Sequence, residues 1–325
     1  MNRSAQDRPS AVAATGLRKS FGDKVVLDDI DLTVPQGTIF ALLGPNGAGK
    51  TTAVQILSTL LPADGGDIRV AGHDLADEPD AVRAAIGVTG QFSAVDNLLT
   101  GEENLRLMTD LHHLGRAAGR QRAAALLRRF GLEDAAGKAA ATYSGGMRRR
   151  LDLAMTLTGN PRLIFLDEPT TGLDPRSRRT MWEIIRALAA DGVTIFLTTQ
   201  YLDEADQLAD RIAVLDHGRI VVAGTPDELK RRIPGGHIEL EFASVDDLAV
   251  AADLVNATSR DDEALTLQVP GDGSLDSLRS LIDKLDGAVP VAKLSIRTPD
   301  LDDVFFAFTG EPDSPDPDKQ EAAQP

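Results

Sequence analysis

TIFALLGPNGAGKTT, residues 38–52, reads as a single unit: a continuous apolar run of β-forming residues, a glycine-rich loop, then the first turn of a helix that ends before Pro62. Within it, Gly44, Pro45, Asn46, Gly47, Ala48, Gly49, Lys50 and Thr51 match the pattern G-x4-G-K-[S/T], with Thr52 following on the helix. Glycines at these places let backbone N–H groups converge on a β-phosphate, and the positive end of the helix dipole adds to them. Lys50 would reach the β- and γ-oxygens, and Thr51 would offer its hydroxyl to Mg²⁺. A turn that merely capped a helix would not need Lys followed by Thr at its end.

Working downstream, LIFLDE at residues 163–168 places Asp167 and Glu168 at the end of a second apolar strand, where an α/β sheet presents its ligand. In phosphoryl transfer, Asp167 would hold Mg²⁺ through water and Glu168 would polarise the attacking water. A solvated strand end carrying two acids is the alternative, and the phosphate loop upstream argues against it. YSGGMRRR, residues 143–150, puts Ser144, Gly145 and Gly146 at a helix start 23 residues before Asp167, a terminus suited to a second phosphate contact.

Strand signals at 12–21 and 25–34, joined by a Gly22-Asp23 turn, open the chain with a β-layer. Residues 101–129 read as helix, with Leu105, Met108, Leu111 and Leu114 at helical spacing, so a helical insertion is expected over about 92–160. Strands return at 163–166, 193–198, 212–215 and 220–222 around a helix at 178–190, which predicts an α/β core. After Pro234, a strand-helix-strand-helix-strand order closed by a helix at 301–309 predicts a small α+β domain over 237–310, with no constellation for chemistry in it. Residues 1–10 and the Pro-rich acidic stretch 311–325 are expected to be disordered.

The chain has 325 residues, enough for a large core and an appendage, and 50 acidic against 34 basic side chains give a net charge of -16. That charge repels polyanions, so nucleic acid is excluded as a partner. The absence of cysteine rules out disulfides and thiolate metal sites and suits a reducing cytosol. The apolar runs at 39–43 and 163–166 are far shorter than the roughly 20 residues that span a bilayer, and the first 15 residues lack the apolar stretch of a secretory signal. A membrane role is expected to come through another chain. Adjacent His112 and His113 point in different directions on a helix and are read as solvated; Arg148, Arg149 and Arg150 form a small basic run read as the surface of the signature helix rather than a nucleic-acid patch.

In this order and spacing, the motifs resemble the ATP-binding subunit of ABC transporters over about residues 11–232: phosphate loop, Gln loop, SGGQ-like signature, acid pair and D-loop. That resemblance implies a P-loop ABC ATPase fold with ATP and Mg²⁺ as cofactors. It further implies a head-to-tail pair of copies, in which Ser144, Gly145 and Gly146 of one close on the γ-phosphate held by Lys50 of the other. Gln91, in VTGQFSAVDNLLTGEENL, corresponds to the Gln loop that touches Mg²⁺ and water; an ordinary polar loop residue is the alternative. Asp174, in GLDP, corresponds to the D-loop at the seam between copies. Phe21 corresponds to the aromatic on which adenine stacks, or else is a core Phe. Gln200 stands where the family usually has His, and the resemblance gives it contact with the γ-phosphate; it can donate through its amide but cannot carry a positive charge or shuttle a proton, and a strand-capping role is the alternative.

More narrowly, YSGGMRRR, TTQYLDEADQLADRIAVLDHGRI and LDDVFFAFTG look like the daunorubicin/doxorubicin-resistance exporter ATPases, which extends the resemblance to about residue 310. This implies an integral membrane permease as partner, a place on the cytoplasmic face of the cell membrane, and efflux of a drug-like, anthracycline-type compound. A non-transport cassette ATPase would usually show a second cassette, a long coiled coil or zinc cysteines, and a small-molecule P-loop kinase would not need Ser144 to Gly146 at that distance from Asp167.

Overall fold

The computed structural model describes residues 9–91, 93–233, 236–271, 275–285, 287–297 and 299–310. Of the stretches expected to be disordered, 1–10 and 311–325, residues 1–8 and 311–325 lie outside the described ones; strand β1 already begins at Ser10. The chain divides into two compact units between Pro226 and Asp227.

In the first unit, β1 (Ser10–Phe21), β2 (Lys24–Pro35), β4 (Gly65–Val70) and β5 (His73–Asp74) form an antiparallel sheet in the order β2-β1-β4-β5. A second sheet has the order β10-β9-β3-β8-β7-β6. Its strands are β3 (Ile39–Leu43), β6 (Ile86–Thr89), β7 (Leu163–Asp167), β8 (Thr194–Thr199), β9 (Arg211–Asp216) and β10 (Arg219–Gly224). All neighbours in it are parallel except β10 on β9. Every residue of β3, β7 and β8 is buried, which is why these strands read as unbroken apolar runs rather than alternating ones. Register across them is marked by Phe196, paired with Phe40 on one side and Phe165 on the other, ring centroids 5.3 and 5.4 Å apart.

Helix α1 (Lys50–Leu57) follows the glycine-rich loop, and α2 (Pro79–Ala85) precedes β6. The elements β4, β5, α2 and β6 were not anticipated; they are two to seven residues long and carry too little periodicity to register. The insertion contains α3 (Gly101–Leu111), α4 (Arg116–Arg129) and α5 (Gly145–Thr156). Thr100 and Glu103 close a reciprocal capping box at the start of α3. The helical stretch expected over 101–129 forms as two helices, parted where His113 turns left-handed at φ 58°, with Leu114 in the gap. Helices α6 (Pro175–Ala190) and α7 (Leu202–Leu208) flank β8 in sequence.

The second unit opens with α8 (Pro226–Lys230), which straddles its boundary. It continues with β11 (His237–Glu241), α9 (Val245–Leu254), β12 (Ser259–Asp261), β13 (Thr266–Pro270), α10 (Leu275–Leu285), β14 (Lys293–Arg297) and α11 (Leu301–Thr309). The sheet runs β12-β13-β11-β14, antiparallel throughout. Ile238, Leu240, Leu248, Leu267, Leu281 and Leu285 form its core. Among the described elements of this unit, the three-residue β12 and the five-residue α8 are not expected from the sequence. Among the described residues no helix is long and apolar enough to cross a membrane.

Candidate active site

Because β3, β8, β7 and β6 are adjacent and parallel, the segments leaving their carboxyl ends line up along one edge of the sheet. They are, in spatial order, the loop Gly44–Gly49, Gln200, the pair Asp167 and Glu168, and Gln91. Parallel α/β sheets bind ligands at this edge.

The loop is built on glycine for two physical reasons. Gly47 and Gly49 have φ of 82° and 112°, and a Cβ on Gly44 would stand 2.2 Å from the Leu215 carbonyl oxygen. Gly49 supplies no side-chain cap to α1, so the first amides of that helix, at Lys50, Thr51 and Thr52, are offered to whatever the loop encloses. The Lys50 side chain is 4% exposed; its Nζ donates to the carbonyls of Gly44 at 2.8 Å and Pro45 at 3.0 Å and lies 3.6 Å from Glu168 Oε1. Burial pulls the Lys50 pKa below its ordinary value, while the carboxylates of Glu168 and Asp167 oppose that shift. Ala48 is buried, Pro45 half-buried, and Asn46 exposed. Uncapped amides, a buried ammonium and the half-buried Thr51 hydroxyl form a donor set that fits a polyphosphate.

Across β8, Asp167 is buried and its Oδ1 accepts from Thr198 Oγ1 at 2.5 Å. Glu168 has φ 48°, a left-handed backbone that costs a non-glycine residue on the order of 1 kcal/mol or more and persists only where its surroundings hold it. Its N–H donates to the Thr198 carbonyl at 3.2 Å and hydroxyl at 3.0 Å, and its Oε2 accepts from Thr171 at 3.2 Å. Thr198 and Thr171, absent from the sequence reading, therefore fix the two acids. Among the described residues no group of three or more His, Cys, Asp or Glu could by itself hold a metal. Mg²⁺ keeps waters and binds through one or two carboxylates plus substrate phosphates, and buried Asp167 with the Thr51 hydroxyl is a donor set that would suit it.

Gln200 is half-buried and directly follows Thr199, whose carbonyl accepts from the Gly44 N–H at 3.2 Å. Gln91 is exposed, two residues beyond β6. Phe21, ending β1, is 50% exposed with Lys19 Nζ 5.5 Å from its ring centroid, which excludes the core-packing alternative.

Ser144 caps α5, its Oγ accepting from the Met147 N–H, and both Ser144 and Gly145 are exposed. Gly146 is buried: a Cβ there would lie 2.5 Å from Ser177 Oγ, so this glycine has a packing reason of its own. Asp174 caps α6, accepting from the N–H groups of Arg176 and Ser177 and from Ser177 Oγ. Among the described residues no hydrogen bond or ion pair joins Ser144, Gly145 or Gly146 to the loop Gly44–Thr51.

Arg149, expected on the surface of the signature helix, is instead turned inward. Its side chain is 12% exposed and donates to the carbonyls of Pro169, Gly90, Asp167 and Glu168. Helical spacing from buried Gly146 to Leu153 already put position 149 on the inner face of α5. Arg150 also faces backbone, donating to Phe130 O at 2.8 Å. His112 and His113 are exposed, as expected.

Residues 27–171 match the model of the ABC transporter family, and residues 224–309 match the C-terminal domain of ATP-binding proteins of the DrrA1-3-like kind. The chain is 47% identical over 319 residues to the daunorubicin/doxorubicin resistance ATP-binding protein DrrA of Streptomyces peucetius, covering 97% of this chain and 96% of that one. It is 49% identical to the daunorubicin resistance ATP-binding protein DrrA2 of Streptomyces coeruleorubidus, over 92% and 95% of the two chains. With the Nod factor export ATP-binding protein I of Sinorhizobium fredii it shares 38% identity, over 95% and 88%. A solved ATP-binding subunit of an ABC transporter superposes with a TM-score of 0.62 at 31% identity, over 69% of this chain and 93% of that one. Phosphate loop, acid pair and sheet order, taken with these likenesses, place the chain in the ABC transporter family, as an ATP-binding ATPase of the DrrA-like group.

Proposed function

We propose that the chain is the motor of an exporter: two copies pair head to tail around ATP, and hydrolysis resets a separate integral membrane permease at the cytoplasmic face of the membrane. The cargo is a drug-like amphiphile of the anthracycline type, a reading supported by relatives named for daunorubicin and doxorubicin resistance. The observation that carries the proposal is the order of segments along the sheet edge, which sets the loop of β3 beside Gln200 and the acids of β7.

Each residue then has a task. Amides of Gly47, Gly49, Lys50 and Thr51 and the Lys50 ammonium hold the phosphates, while Phe21 stacks on the base. Thr51, Asp167 and Gln91 are the residues that would hold Mg²⁺, which when bound supplies charge compensation on the transferring phosphoryl group. Glu168 accepts a proton from the attacking water, and Gln200 donates its amide to the γ-phosphate. Exposed Ser144 and Gly145 are free to meet the ATP of a second copy, with Asp174 at the seam.

The test has two arms. The Glu168→Gln chain with ATP should sediment as a dimer, and the wild-type chain should co-purify with a multi-span membrane protein whose presence makes ATP hydrolysis respond to amphiphilic drugs. A strictly monomeric trapped form, or no recruitment to membranes containing every candidate permease, would overturn the proposal.

A further inference from the structure

Arg149 stands five residues into the sequence after Ser144, on the helix whose exposed start is the proposed lid. Its guanidinium is spread over backbone rather than facing one counter-ion. Nε donates to Pro169 O at 3.0 Å, and Nη2 donates to Asp167 O at 2.9 Å and Glu168 O at 3.3 Å. Nη1 donates to Gly90 O at 3.0 Å, immediately before Gln91, and to Asp152 Oδ2 at 3.4 Å. Asp152, itself 3% exposed, accepts from the Ala94 N–H at 3.1 Å. One turn of α5 thus ties down three consecutive carbonyls of the acid-pair turn and both sides of Gln91.

Glu168 is the residue of this turn whose backbone most needs holding. Its left-handed backbone is fixed at the N–H by Thr198 and at the carbonyl by Arg149, so the direction of its carboxylate depends on where α5 sits. A guanidinium spreads its donors over three nitrogens in a planar fork and so reaches the separated carbonyls of Gly90, Asp167, Glu168 and Pro169, whereas a lysine gathers its donors on one nitrogen. On the head-to-tail reading, Ser144 closes one ATP site while Glu168 of the same chain works in the other.

We propose that Arg149 is a positioning residue that carries closure of the lid at one ATP site to the general base and Gln loop of the other, and so makes the two sites fire cooperatively. This rests on the pairing proposed above. A shift of α5 on meeting the partner's γ-phosphate moves Asp167, Glu168 and Pro169 as a block, because they hang from one rigid group.

The full chain with its membrane partner provides the test, through Arg149→Gln and Arg149→Lys. While folded, both variants should bind ATP within about 2-fold of wild type; the melting temperature should fall, more for Arg149→Gln, which leaves buried Asp152 without a cation, than for Arg149→Lys. Both should lose at least about 10-fold in kcat, with the Hill coefficient for ATP falling toward 1. Trapped dimers should still form when either is combined with Glu168→Gln. If Arg149→Gln does not fold, Arg149→Lys carries the test, since it keeps charge and stem but not the fork. Unchanged kcat and cooperativity, or full rescue by lysine, would overturn the role of Arg149 alone. A loss of ATP binding in proportion to kcat would reduce it to a structural residue and overturn it as well. A wild-type Hill coefficient of 1 together with no trapped dimer would instead sink the pairing on which it stands.

Discussion

Lys50 Nζ lies 3.6 Å from Glu168 Oε1, so the ammonium of the phosphate loop and the carboxylate at the end of β7 face each other across β8. The two motifs are more than a hundred residues apart in sequence, and the strand between them in space, β8, comes later than either. Lys50 keeps two backbone acceptors, Gly44 O and Pro45 O, that do not depend on Glu168.

That independence separates binding from chemistry. Glu168→Gln is expected to bind ATP at least as well as wild type, because a negative charge leaves the neighbourhood of the phosphates. Its turnover should drop on the order of 10²-fold or more with loss of the general base. Lys50→Ala should do the reverse and weaken binding first. Equilibrium binding of a fluorescent nucleotide beside steady-state hydrolysis separates the two, and normal turnover in Glu168→Gln would remove Glu168 from its role.

Phe21 offers a clean contrast between stacking and packing. At 50% exposure it contributes little to the core, so Phe21→Ala should change unfolding free energy by only about 0.5 kcal/mol. Loss of an aromatic stacking partner, worth roughly 0.5–1.5 kcal/mol, should weaken ATP binding roughly 2- to 12-fold. Phe21→Trp should keep it. Equal ATP affinity in Phe21→Ala, measured by titration calorimetry, would place adenine elsewhere.

Phe196 is the opposite case. Fully buried between Phe40 and Phe165, it pins β8 to both neighbours, and Phe196→Ala should destabilise the first unit by about 3–5 kcal/mol. Because β8 carries Thr198 and leads directly into Gln200, activity should fall even where the variant stays folded. Denaturant unfolding gives the first number, and a loss below about 1 kcal/mol would show that the strand repacks.

Glu204 on α7 gives a pH signature. Its Oε1 accepts from Thr170 Oγ1 at 2.7 Å and from Trp182 Nε1 at 3.0 Å, while its Oε2 is buried without a hydrogen-bond partner among the described residues. Burial raises its pKa above the ordinary 4.5, against the hydrogen bonds from Thr170, Thr199 and Trp182. A group with a raised folded pKa stabilises fully below the unfolded value and loses that contribution as pH rises through the folded one. Glu204→Gln, which keeps the carbonyl acceptor and does not titrate, should therefore gain stability relative to wild type as pH climbs from 4.5. Trp182 is the single tryptophan of the chain, so its fluorescence reads the contact directly during unfolding. A stability difference that stays flat with pH would mean that Glu204 remains ionised.

The local chemistry was written in the sequence. A phosphate loop is a short-range device: glycines, Lys50 and Thr51 act through backbone and side chains within one turn, so pattern and purpose coincide. The same holds for β3, β7 and β8, whose full burial makes them continuous apolar runs, and for the helix starts at Ser144 and Asp174, which cap themselves. Tertiary structure alone decided which of these pieces meet. Strand order places Gln200 between the loop and the acids, and a burial no local signal fully announces turns Arg149 from one of three like arginines into the clamp of Glu168. An arginine looks the same in sequence whether water or four carbonyls surround it; only the packing of α5 against the ends of β6 and β7 distinguishes the two.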